Sequence, residues 1–146
     1  MSLALIALTL ADAAILPPPA PSLTVVVENV RSNVGRVHVA LCPQKTFLKD
    51  DCKLETSVPA QKGATTVIFT YVPPGEWAAQ AFQDENGNKK VDQNFIGIPR
   101  EGVGFSRDAK IVFSPPKWRD AMFVHDGKPQ TISFSLRYFM GRSGPK

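Results

Sequence analysis

The sequence predicts an all-β protein, a sandwich of seven short antiparallel strands. Three observations carry this. Apolar and polar residues alternate with a period of two along most of the chain, and no stretch sustains a helical period. The alternating stretches are separated by Asn, Asp, Gly and Pro in combinations that turn the backbone. The prolines are grouped at Pro17, Pro18, Pro19 and Pro21, at Pro73 and Pro74, and at Pro115 and Pro116, where a β-rich chain wants stiff connections. The same pattern also suits a small closed barrel, so sandwich and barrel both stand on these grounds.

Taken in order, the chain opens on an apolar run over residues 3–10, followed by Ala11, Asp12 and Ala13. Small residues there suit a signal peptidase, so residues 1–13 read as a cleaved export signal. The run is too short for a membrane span, which needs roughly 20 apolar residues. No cysteine follows it closely enough to carry a lipid anchor. Residues 14–22 form a Pro-rich linker, residues 23–139 a single domain, and residues 140–146 a polar, flexible tail.

Strands are predicted over residues 23–30, 36–42, 65–71, 76–83, 110–113, 121–124 and 131–138. The last is the clearest: Ile132, Phe134, Leu136 and Tyr138 point one way, and Thr131, Ser133, Ser135 and Arg137 the other. Pro74 and Gly75 fill the central positions of a type II turn, proline presetting the first φ and glycine accepting the second, and should join two strands as a hairpin. Asn33 with Gly35, and Asp126 with Gly127, do the same for the first and last pairs, giving antiparallel neighbours throughout.

Composition limits what such a domain does. At 43% hydrophobic and 21% charged the chain is neither disordered nor a membrane bundle. Its net charge is +4, rising to +5 once the leader takes Asp12 with it, and the charges are scattered without aromatic interleaving. That argues against nucleic acid as a partner. Cys42 ends a predicted strand and Cys52 lies in the loop after it, a spacing unlike a redox or zinc CxxC. We expect a disulfide, in keeping with a periplasmic or extracellular location, worth roughly 2–3 kcal/mol by closing a short loop.

Residues 84–108 resist a purely structural reading, because loops beyond roughly 15 residues are uncommon in compact domains and are usually functional or disordered. This one contains Val91, Phe95, Ile96, Ile98, Val103 and Phe105, which are expected to be buried in an ordered loop at one end of the domain. Asp84, Asn86, Asn88 and Asp92, with the Lys90 carbonyl, occupy the first, third, fifth, ninth and seventh positions of a calcium loop. Lys89 stands where such a loop has glycine, and Phe95 where it has a bidentate glutamate. Glu101 could fold back as the missing ligand. Any calcium site should therefore be weak, on the order of 0.1–1 mM. The alternative is a turn whose Asn and Asp side chains bond their own backbone.

Catalytic constellations are thin. His38 falls within a strand and His125 at a turn, and Ser106, in the setting Gly104-Phe105-Ser106, is not a nucleophile elbow. Asp84, Glu85, Asp92 and Glu101 could supply an acid and base for a hydrolase. No phosphate-cradling glycine motif occurs.

The run Asp84-Glu85-Asn86-Gly87-Asn88 with Asp92, then Gly97-Ile98-Pro99-Arg100-Glu101-Gly102 and Gly104-Phe105-Ser106, resembles the signature of the bacterial family called domain of unknown function 2141. Val25-Val26-Val27, the stretch 35–41, Pro74-Gly75-Glu76-Trp77-Ala78, the stretch 116–121 and the closing 132–138 agree with that family's layout, so the resemblance covers residues 23–138. Members often carry glycine where this chain has Lys89. The resemblance implies a small exported protein with an immunoglobulin-like or transthyretin-like sandwich, and no reaction.

The function expected is that of a non-enzymatic binding or structural module of the cell envelope. It would engage a protein or another envelope component through the 84–108 loop, with Arg100, Glu101, Phe105 and Ser106 as contact residues. A weak calcium module for adhesion or carbohydrate contact is the alternative, and a hydrolase using the loop carboxylates a third.

Overall fold

The computed structural model describes residues 13–145, so the expected export signal lies, except for Ala13, outside the described residues. Within them the strands are β1 (Leu23–Val30), β2 (Arg36–Cys42), β3 (Leu54–Pro59), β4 (Gly63–Phe69), β5 (Gly75–Asp84), β6 (Val103–Phe105), β7 (Phe123–His125) and β8 (Gln130–Ser135). A 3-10 turn at Ser106–Asp108 and a one-turn helix α1 at Trp118–Ala121 lie between β6 and β7. The described residues are thus all-β, as expected, but with eight strands where seven were predicted.

They form two sheets, a three-stranded one in the order β4-β1-β8 and a five-stranded one in the order β3-β2-β5-β6, with β7 paired to the start of β5. Alternation builds both. Leu23, Val25 and Val27 of β1, Val67 and Phe69 of β4 and Phe134 of β8 share one buried cluster with Val37, Val39 and Leu41 of β2 and Ala79 and Ala81 of β5. The two sheets therefore face each other across a common core. Each large apolar side chain fully buried there stabilises the fold by roughly 1.5–3 kcal/mol. In β1 the inward parity shifts from Val27 to Val30 because Asn29 forms a bulge with φ +59. Asn29 Nδ2 donates to the Leu136 carbonyl at 2.6 Å and fixes that kink.

A second, smaller cluster covers part of the five-stranded sheet. Cys42, Phe47, Cys52, Ala78, Ala109 and Ala121 are buried in it, with Phe105 and Trp118 packed against them. The Phe47 ring meets Phe105 and Trp118 edge-on, at 5.9 and 5.7 Å. The expected disulfide joins Cys42 to Cys52 and pins the loop carrying Phe47 over this cluster.

Several expectations are corrected. None of the three expected hairpins forms: the links from β1 to β2, β4 to β5 and β7 to β8 each carry the chain from one sheet to the other. Turn chemistry reports that the backbone reverses, not which sheet receives the next strand. Because β8 arrives across the core, it pairs with β1 in parallel, from Leu23↔Gln130 to Glu28↔Ser135, so the neighbours are not antiparallel throughout. Residues 110–113 are not a strand. They run into Ser114 and two prolines, and Phe113 takes φ +59 with its ring in solvent. The strand β3 was not expected because Glu55, Thr56 and Ser57 make it a polar edge strand. In turn β6, only three residues long, lies inside what reads as loop. The tail is mostly exposed, yet Met140 and Arg142 offer their carbonyls to the Arg31 guanidinium.

Candidate functional site

The loop between β5 and β6 is built on two buried carboxylates. Asp84, 1% exposed at the end of β5, accepts three backbone N–H groups: Oδ1 from Gly87 (2.9 Å) and Asn88 (3.2 Å), and Oδ2 from Lys89 (2.8 Å). Ionised oxygens accept such bonds strongly, which curls residues 85–89 around the carboxylate. Lys89 completes the curl with φ +62. His38 Nε2 lies 3.2 Å from Asp84 Oδ2 but without the alignment of a hydrogen bond, and its ring stacks on Phe82 at 4.8 Å.

Glu101 ties the far end of the loop to its start. Oε1 accepts from Glu85 N–H (3.0 Å) and Oε2 from Asp92 N–H (3.3 Å). Burial raises its pKa above the ordinary carboxyl value, and the negative charges of Asp92 and Asp84 act in the same direction, against the two backbone bonds. Between these anchors Asn86 and Asn88 form side-chain turns, accepting from Asn88 N–H (3.2 Å) and Lys90 N–H (3.0 Å). Their amides donate to Asp92, at 2.5 and 2.7 Å.

Of the residues expected to ligate calcium, Asn86, Asn88 and Asp92 are brought together, while the Asp84 carboxylate faces backbone amides and Lys90 is exposed. Among the described residues no three His, Cys, Asp or Glu side chains stand close enough to hold a metal ion. Arg100 is exposed beside Arg31, Glu85, Asn86, Asp92 and Glu101 in a polar cleft of about 350 Å³.

Ser106 does not reach the face expected for it, while Phe105 partly does, lining a hollow with Lys89, Lys90 and Val91 of the same loop. Phe105 is half-buried against Phe47, and Ser106 is buried, its hydroxyl held between the Ala121 carbonyl and the Ala79 N–H. A short polar side chain there joins β5 to the helix rather than facing solvent. The loop's apolar residues also depart from expectation. Val103 is buried, but Phe95 is 99% and Ile96 65% exposed, because a tight turn over residues 94–98 holds them off the domain. His125 is buried, with Nε2 3.4 Å from the Ser22 carbonyl.

The family described as "Uncharacterized protein conserved in bacteria (DUF2141)" matches residues 25–133, a span holding the whole loop and all but the end of β8. The chain belongs to this family. No curated protein and no solved structure matches it. The resemblance carried by the 84–106 motif is thereby confirmed.

In this DUF2141 chain the loop also depends on residues that sequence reasoning passed over. Gln83 is fully buried: Nε2 donates to the carbonyls of Ser32 (3.1 Å) and Val34 (3.0 Å), and Oε1 accepts from Tyr138 OH (2.9 Å). Its position held a signal, since it follows Ala79 and Ala81 on the inward parity of β5. The Arg31 guanidinium lies 4.8 Å over the Tyr138 ring and pairs with Glu85, its Nε donating at 2.7 Å. Burial pushes the Tyr138 hydroxyl up to about 12. Nothing in the local sequence marks Arg31, whose partners lie far along the chain.

The hollow that Phe105 lines lies on the outer face of the five-stranded sheet, about 860 Å³, with His38, Gln80 and Phe82 among its lining. Lys49, Lys89 and Lys90 stand around it from two loops, and Ile111 and Pro115 from a third. Among the described residues no helix is long and apolar enough to cross a membrane.

Proposed function

We propose that this protein is a non-enzymatic binding module of the cell envelope. On this reading it is an immunoglobulin-like or transthyretin-like sandwich that works outside the cytoplasm and holds a protein or other envelope component with the 84–108 loop. The observation that carries it is how the loop uses its carboxylates. Asp84 and Glu101 accept the loop's own backbone N–H groups, so their role is to hold a rigid shape. Arg100, Phe95 and Ile96 are left facing outward from that shape. A scaffold that fixes an exposed loop is the arrangement binding domains use. The Cys42–Cys52 disulfide supports an oxidising compartment.

The test is crosslinking of the purified chain to envelope proteins, with Arg100→Glu as the comparison. A discrete crosslinked partner lost in the variant, with unfolding unchanged, supports the reading. Identical capture by both proteins counts against it.

A second reading has its own observation. Lys89, at the sixth position of the calcium-loop spacing, takes φ +62 where such a loop turns sharply. In this reading calcium at millimolar concentration orders residues 84–92 for adhesion or carbohydrate contact. A melting temperature that does not move in several millimolar calcium would sink it.

A further inference from the structure

The apex of the loop is a self-contained turn. Asn94 N–H donates to the Ile98 carbonyl (2.9 Å) and Gly97 N–H to the Asn94 carbonyl (3.0 Å). Asn94 Oδ1 accepts from Ile96 N–H (3.1 Å) and Ile98 N–H (2.9 Å), and Gly97 supplies φ +84. Side chains here do the opposite of what a solvated turn does, because Phe95 and Ile96 stand out in solvent. An apolar pair is thus displayed on a turn that bonds the N–H groups of Asn94, Ile96, Gly97 and Ile98 within itself.

Those two properties together are what the boundary of a lipid bilayer demands. Apolar side chains favour the acyl region, and each peptide group bonded internally lowers the cost of bringing the backbone near it. The loop also carries exposed cations, of which Arg100 shares its cleft with the carboxylates of Glu85, Asp92 and Glu101. Lys89, Lys90 and Arg100 are exposed on the same loop, and the chain as a whole carries +4. Across the hollow, the segment that contributes Ile111 and Pro115 displays a second apolar pair, Val112 and Phe113.

We propose that the Phe95–Ile96 apex is a membrane-surface anchor that inserts into the interfacial region of a bilayer containing anionic phospholipid. Lys89, Lys90 and Arg100 then face the headgroup phosphates, and the domain remains outside the bilayer. A convex, internally bonded apex suits a fluid boundary that closes around it, whereas a protein partner would need a pocket shaped to receive it. The inference rests on the reading of residues 84–108 as the binding face and names lipid as what that face meets.

The experiment is co-sedimentation of the full chain with vesicles of phosphatidylcholine, with and without phosphatidylglycerol, compared with F95S/I96S. Both proteins share residues 1–22, so a difference between them reports the apex. The expected result is binding to the anionic vesicles that falls about tenfold or more in F95S/I96S. In K89E/K90E, binding should fall on anionic vesicles only, and added salt should weaken the wild type in the same way.

As an independent readout, Phe95→Trp should give a blue-shifted emission with vesicles, quenched by lipid brominated along its acyl chains. Neither effect is expected of the wild type, whose tryptophans are Trp77 and Trp118. Failure of the wild type to bind either vesicle, equal binding by F95S/I96S, or an unmoved emission overturns the proposal. Lost protein crosslinking in F95S/I96S with vesicle binding intact also overturns it, in favour of a protein contact, and leaves the binding-module reading standing. Vesicle binding without any Arg100-dependent crosslink supports the anchor and removes the protein-partner form of that reading.

Discussion

Gly35 and Asp84 meet backbone to backbone: a Cβ placed on Gly35 would lie 1.9 Å from the Asp84 carbonyl oxygen, and Gly35 has φ +73. The turn after β1 is thereby locked against the root of the 84–108 loop. Gly35→Ala should clash with a peptide group that cannot move without displacing the Asp84 carboxylate. We expect a loss of at least about 2 kcal/mol in urea unfolding. Amide shift changes should concentrate at residues 84–89 as well as at the turn.

The Asp84 carboxylate itself is the next test. Asp84→Asn replaces one accepting oxygen by an NH₂ that must face a backbone donor, so at least one of the Gly87, Asn88 and Lys89 amides loses its partner. Losing one such part-buried hydrogen bond costs about 1 kcal/mol. Faster hydrogen exchange at those three amides, with the β1 and β2 amides still protected, is the expected pattern. Unchanged exchange there would mean the carboxylate does not hold the loop.

How far this was legible in the sequence depends on burial. Strands β1, β2, β5 and β8 have one face in the core, so alternation exposed them directly. In β3 the edge position leaves Glu55, Thr56 and Ser57 partly solvated, and nothing forces a pattern on them. Residues 111–113 are apolar but find no strand partner, so composition misled. At the site, the Asx-turn geometry of residues 84–90 could be read from Asn and Asp spacing, because those contacts are local. Arg31, Gln83 and Tyr138 could not be assembled in advance, because their contacts join residues more than fifty positions apart. Phe95 and Ile96 were expected inside on the rule that large apolar residues are buried, and that rule fails where the backbone turn is satisfied without them.

Glu101 should leave a trace in the pH dependence of stability. Its carboxyl pKa is raised above 4.5 in the folded chain, chiefly by burial. Between its unfolded and folded values the native state therefore holds more protons than the unfolded state. Stability from this group accordingly falls as pH rises through that window and is flat above it. The difference in unfolding free energy between wild type and Glu101→Gln, followed from pH 7 downward, should move in favour of the wild type as the acid window is entered. A difference independent of pH would show that Glu101 titrates at its ordinary value.

Two left-handed positions should respond to glycine with opposite signs. Lys89 has φ +62 and offers the fold only its N–H, donated to Asp84 Oδ2. The left-handed conformation costs a side-chain-bearing residue roughly 1–2 kcal/mol, and glycine removes that strain while adding about 0.5–1 kcal/mol of unfolded-state entropy. Lys89→Gly should therefore stabilise by about 0.5 kcal/mol. Asn29, at φ +59, carries less strain, since asparagine takes the left-handed conformation more readily than lysine, and it gives its side chain to the Leu136 carbonyl at 2.6 Å, a bond that holds the chain leaving β8 against the bulge of β1. Asn29→Gly relieves the backbone but deletes that bond, and should destabilise by about 1 kcal/mol. Urea unfolding of the two variants side by side decides it. If both shift in the same direction, backbone strain alone governs these positions, and the Asn29 side chain is not what fixes the bulge.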